Sequence, residues 1–153
     1  MALTGGEIYE LGHGSEVGEG DIMKNTVDQY CINVSDLERS VAFYEGVLGL
    51  EVTHRIEIPE GETPVSEVVL SGGEGGRIQL AWHHDQEGPI EHGNAFWKLY
   101  IKSDDCKGLY QRAIDAGHKS VREPERLEVW PVTAAFIEDP DGYLVEILEY
   151  HED

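Results

Sequence analysis

A chain of 153 residues, 40% hydrophobic and 27% charged, is sized for one folded core. Its 31 acidic against 11 basic residues give a formal charge of −20, which repels nucleic-acid phosphates and anionic lipid surfaces at long range, so neither nucleic acid nor membrane is expected as a partner. No apolar run reaches the ~20 residues that span a bilayer. Two cysteines, Cys31 and Cys106, in no Cys-x-x-Cys spacing indicate neither a disulfide framework nor a cysteine zinc site, and they suit a reducing cytoplasm.

Residues 1–24 are dominated by glycine and acid and read as a solvated extension ahead of a domain over 25–153. From Thr26 the run TVDQYCINV alternates, with Tyr30, Ile32 and Val34 on one side and Gln29, Cys31 and Asn33 on the other, the signature of a strand with two unlike faces. SDLERSVAFYEGVLGL follows, with Ser35 and Asp36 as cap candidates, Leu37, Val41, Tyr44 and Leu48 at spacings of three and four, and Gly49 as the stop; this predicts an amphipathic helix. EVTHRIEI, PVSEVVL and RIQLAWHH are then short β-branched or aromatic runs separated by PEGET and SGGEGG, which supply turns for antiparallel strands.

The polar linker 85–93 leads into a second pass of the same grammar. AFWKLYIK predicts a strand and SDDCKGLYQRAIDAG a helix ending at Gly117. HKSVRE, VWPVTAAFIE and YLVEILEY predict three strands, the last two joined by DPDG, in which Pro140 sets the turn and Gly142 accepts a positive φ. The chain thus reads as two β-α-β-β-β modules, 26–84 and 94–151, in the α+β class, and Gln29 aligned on Lys98 with Gln79 on Glu146 brings the halves into register, as an internal duplication would.

In each half one strand face is apolar and must pack on the helix, which leaves the other to line whatever the sheet encloses. That second face carries Val27, Gln29, Cys31 and Asn33; Arg77, Gln79, Ala81 and His83; Phe96, Lys98 and Tyr100; and Leu144, Glu146, Leu148 and Tyr150. Lys98 and Glu146 stand out, because each is ionisable in an otherwise apolar or aromatic strand, where an unpaired charge is costly. They need partners, water or a ligand. Phe96, Tyr100, Trp130, Leu144 and Leu148 would give such an enclosure an aromatic and apolar lining suited to a flat or hydrophobic small molecule, with core packing as the alternative for each. Cys31 on the same face has no neighbouring base in the sequence and reads as packing. His83, at the end of its strand, is the inward member of the His83–His84 pair.

The segments NVSDLERSVAFYEGVLGLEV and FIEDPDGYLVEILE resemble the first strand and helix, and the closing hairpin, of the vicinal oxygen chelate superfamily, also called the glyoxalase/bleomycin-resistance/dioxygenase superfamily; the resemblance covers 26–150. It implies paired modules curled into a cup, a metal held from the first, fourth, fifth and eighth strands, and a homodimer in which the cup is in some members completed between subunits. The four ligand places fall on Gln29, Gln79, Lys98 and Glu146. Glu146 matches the family carboxylate, and Gln29 resembles the glutamine of eukaryotic-type glyoxalase I. Lys98 stands where that enzyme has a histidine, and an ammonium has no lone pair to donate and repels a dication. No metal and no other cofactor is therefore expected; were one bound, Gln29, Gln79 and Glu146, with His83 as a possible addition, would be its ligands.

The resulting expectation is lyase, isomerase or epimerase chemistry on a small carbonyl compound, with Lys98 polarising an oxygen and Glu146 moving a proton. A Schiff base on Lys98 is a variant of it. The alternatives are a bleomycin-resistance-like binder of a drug or metabolite, a metal-dependent lactoylglutathione-lyase-like enzyme, and a Lys98–Glu146 ion pair that merely fills a vestigial site.

Overall fold

The computed structural model describes residues 24–152; apart from Lys24, the expected N-terminal extension lies outside them. The elements are β1 Gln29–Asn33, α1 Leu37–Val41 continuing as a π-helical turn Ala42–Val47, β2 Glu51–Ile58, β3 Val65–Ser71, β4 Arg77–His83, β5 Leu99–Lys102, α2 Cys106–Asp115, β6 Ser120–Arg126, β7 Val132–Glu138 and β8 Leu144–Tyr150. The strands form two sheets of identical topology, β1-β4-β3-β2 and β5-β8-β7-β6. In each the first strand runs parallel to the last, and the other neighbours are antiparallel. This is the glyoxalase-like α+β architecture anticipated from the sequence.

Local chemistry explains the boundaries. The first helix is capped by Asp36, whose carboxylate accepts from the Arg39 amide at 3.1 Å. Ser35, the other cap candidate, instead turns its amide and hydroxyl to Asp141. Asp105 caps α2 by accepting from the Gly108 amide. Gly49 and Gly117 follow the two helices at φ 76° and 92°, the left-handed stop that glycine adopts without penalty. The fifth strand is shorter than AFWKLYIK suggested. Leu99 pairs with Val145, so Lys98 lies opposite the first residue of β8, and Phe96 and Trp97 lie beyond its start, where the chain turns at Gly142 and no partner backbone remains. For the same reason Val129 and Trp130 precede β7, which pairs only from Val132 onward.

One apolar core joins both halves. Ile32, Val34 and Leu80 of the first sheet share it with Phe43 and Tyr44 of the first helical segment, and with Cys106, Tyr110, Val145 and Ile147 of the second half. Both helices are therefore covered by the inner sheet faces, and the opposite faces are left for other uses. The buried Cys106 thiol is pushed up to about 11, by burial first and by Glu149 and Asp105 next, whereas Cys31 is exposed. Titration with a thiol-specific disulfide reagent at pH 8 is expected to label Cys31 alone in the native protein and both thiols after denaturation; rapid labelling of both before unfolding would contradict the packing of α2.

Candidate active site

Across three strands of the second sheet, Tyr100, Glu146 and Phe136 stand side by side in register, and cross-strand partners share a face. Lys98, two residues before Tyr100, brings its Nζ to 2.5 Å from Glu146 Oε2, both side chains being less than 10% exposed. The approach is off the hydrogen-bonding direction, so Oε2, although in ionic contact, receives no properly directed bond. The ammonium also lies 4.0 Å from the Trp97 ring centroid, 4.7 Å from Tyr100 and 5.3 Å from Phe136, an arrangement in which ring faces attract the cation. Desolvation alone would push the Lys98 ammonium down, but contacts with Glu146 and Tyr100 outweigh it and hold it above its ordinary value. The cover is thin, since Trp97 and Tyr100 are themselves 75% and 53% exposed.

The first sheet repeats this row with different chemistry. Cys31, Gln79 and Val69 stand in register, and Gln29, two residues before Cys31, donates from Nε2 to Gln79 Oε1 at 2.7 Å. Each half therefore closes its own pair, amide on amide in one and ammonium on carboxylate in the other. No hydrogen bond or ion pair links the two couples among the described residues.

This donor set does not fit a divalent cation. The Lys98 ammonium sits on the Glu146 oxygen a metal would need, and the Gln79 carbonyl is taken by Gln29. Among the described residues there is no cluster of three or more His, Cys, Asp or Glu that could hold a metal.

The remaining expected residues are dispersed. His83 does not approach Glu146; its Nε2 lies 3.1 Å from Asn33 Oδ1 on the first sheet. Cys31 is exposed, its thiol raised by desolvation first and then by Glu67. Phe96 packs edge-on against Tyr143 at 5.8 Å, and Trp130 edge-on against Tyr150 at 5.7 Å. Leu148 is buried with Val132 and Ala134, and Leu144, at the head of β8, is half-buried. Trp97 and Phe136 were missed. Phe136 was recoverable from the alternation in VTAAFIE, had the register against Glu146 been known.

Comparison with known proteins agrees with this architecture. Residues 26–147 match the model of the Glyoxalase/Bleomycin resistance protein/Dioxygenase superfamily. The chain is 31% identical over 119 residues to a lactoylglutathione lyase of Haemophilus influenzae, covering 77% of this chain and 87% of that one. Among solved structures, a Leishmania major glyoxalase I described as trypanothione-dependent superposes with a TM-score of 0.70 at 26% identity, over 82% of this chain and 87% of that one. Glyoxalase I of Zea mays gives 0.70 at 22% identity and shows the fold alone; the chain covers 81% of itself but spans only 44% of that protein. By its repeated topology, its closing hairpin and these matches, the chain belongs to the glyoxalase/bleomycin-resistance/dioxygenase superfamily.

Proposed function

We propose that this protein is a metal-independent proton-transfer enzyme, a lyase, isomerase or epimerase acting on a small carbonyl-bearing molecule. The observation that carries this reading is the Lys98–Glu146 contact: a buried acid with one oxygen free of directed hydrogen bonds, beside a cation enclosed by aromatic rings. The substrate's carbonyl oxygen approaches the ammonium, which stabilises the negative charge that grows there as the adjacent C–H bond breaks. Glu146, as the carboxylate, accepts that proton and returns it to the neighbouring carbon, so the carboxylate is regenerated. Contacts that keep Lys98 protonated suit an electrophile and disfavour a Schiff base, which needs a neutral amine.

The test is hydrogen–deuterium exchange at the carbon beside the carbonyl of hydroxyacetone in D2O, followed by NMR with and without EDTA. Enzyme-dependent exchange that persists in EDTA is expected. Exchange lost on chelation and restored by zinc or nickel would overturn metal independence, and binding without exchange would favour sequestration of the ligand.

A second reading is favoured by the relatives. The Haemophilus influenzae protein is named a lactoylglutathione lyase, and metal-dependent turnover of lactoylglutathione by this chain would replace the first reading with that one. We also expect a homodimer in the cytoplasm. Val27, 79% exposed just ahead of the edge strand β1, supports burial against a second copy, and the two thiols are free. Sedimentation equilibrium giving a monomer across micromolar concentrations would remove the dimer.

A further inference from the structure

A groove of about 330 Å³ runs between β1 and β5, each the edge strand of its sheet. Its walls are apolar and aromatic, from Leu50, Ile78, Leu99 and Ile101 with the rings of Tyr30 and Tyr100. On the glycine side, Gly72, Gly75 and Gly76 contribute no side chain to fill it. Among the described residues its only charged lining groups are Arg77 and Lys102.

That charge pattern is informative against the composition. The chain holds 31 acids and 11 bases, yet among the described residues no carboxylate lines this groove and two cations do. Lys102 forms no ion pair among the described residues; its Nζ lies 5.7 Å from the Tyr150 ring centroid. Arg77 pairs with the exposed Asp28 through one Nη. A guanidinium has five donors in a planar fork, so donors remain for a second carboxylate.

We infer that the groove binds a small amphiphilic organic carboxylate, its flat apolar body between Tyr30 and Tyr100 and its anionic head on Arg77 and Lys102. A cationic ligand would meet two like charges. A polyanion would meet the field of a chain at −20, which a single carboxylate with a desolvated apolar body can overcome. The inference stands on the groove alone and does not rest on the chemistry proposed for Lys98 and Glu146.

Calorimetric titration of the full-length protein with 2-naphthoate, and with the neutral 2-naphthalenemethanol of similar shape, tests it. The acid is expected to bind once per chain and at least about tenfold tighter than the alcohol, because only the acid makes charge-assisted bonds. Lys102→Glu, a change at an exposed position, is expected to remove that preference and leave the alcohol unaffected; Tyr30→Ala weakens both. Equal affinity for acid and alcohol, no binding of the acid at millimolar concentration, or an unchanged preference in Lys102→Glu with Lys102→Gln also unchanged would each overturn the inference. Glu146→Gln, which addresses the proposed reaction, is expected to leave naphthoate affinity intact, so the failure of either reading is visible separately.

Discussion

Glu146→Gln is expected to lower proton-exchange turnover by at least about a hundredfold, the lower end of what a positioned acid–base group contributes. The replacement keeps the side chain's shape and its place between Tyr100 and Phe136 but removes the group that accepts the proton. It also leaves Lys98 beside a neutral amide. Breaking a buried pair from one side usually costs several kcal/mol, but here the cover over Lys98 is itself exposed and its four-carbon stem can carry the ammonium outward, so about 1–2 kcal/mol is expected. Replacing both partners, Lys98→Met with Glu146→Leu, should restore or exceed the native stability, because no unpaired charge remains in the enclosure. That double variant separates function from packing. A pair that only fills a vestigial site would leave it stable and as active as the native protein; the proposed chemistry requires it to be stable and inactive.

Much of this architecture was legible because the chain states its periodicities openly. Leu37, Val41, Tyr44 and Leu48 are all buried on the helical face that their spacing announces, and EVTHRIEI and YLVEILEY are strands over nearly their whole length. Glu146 was conspicuous because a carboxylate between Val145 and Ile147 has no reason to be there unless something meets it, and Lys98 does. What stayed hidden depends on register. A sequence does not say that Phe136 lies opposite Glu146, that Trp97 folds over its neighbour's ammonium, or that Phe96 turns to Tyr143; each follows from where pairing begins and ends. The partner of His83 depends on register in the same way, since its strand ends beside Asn33, whose amide oxygen meets it. The groove between β1 and β5 was invisible because its walls come from segments that no local pattern connects.

Removing the Tyr44–Asp139 contact should give the largest loss of stability from a single polar substitution. Tyr44 is fully buried on the first helical segment, and its hydroxyl donates to Asp139 Oδ2 at 2.7 Å across the two halves. The same carboxylate accepts from the amides of Asp141 and Tyr143, each at 2.9 Å. Asp139→Ala strands three donors, two of them buried, and is expected to cost about 3 kcal/mol in urea unfolding; Tyr44→Phe removes one bond and should cost about 1–2 kcal/mol. A pH signature distinguishes this latch from ordinary packing. Burial first, then Asp139, hold the Tyr44 phenol well above its ordinary value, and burial with Asp139 pushes Tyr143, which donates to the Asn33 carbonyl, up to about 12. For an acid whose folded pKa is raised, the unfolded chain loses its proton first, so the stabilisation is complete below about pH 10 and is lost as pH rises towards the folded value. Stability should therefore fall steeply between about pH 10 and 12, and less steeply in Tyr44→Phe, which has one fewer phenol to ionise. Identical slopes in the two proteins would mean that Tyr44 is held by packing alone and that the halves are joined elsewhere.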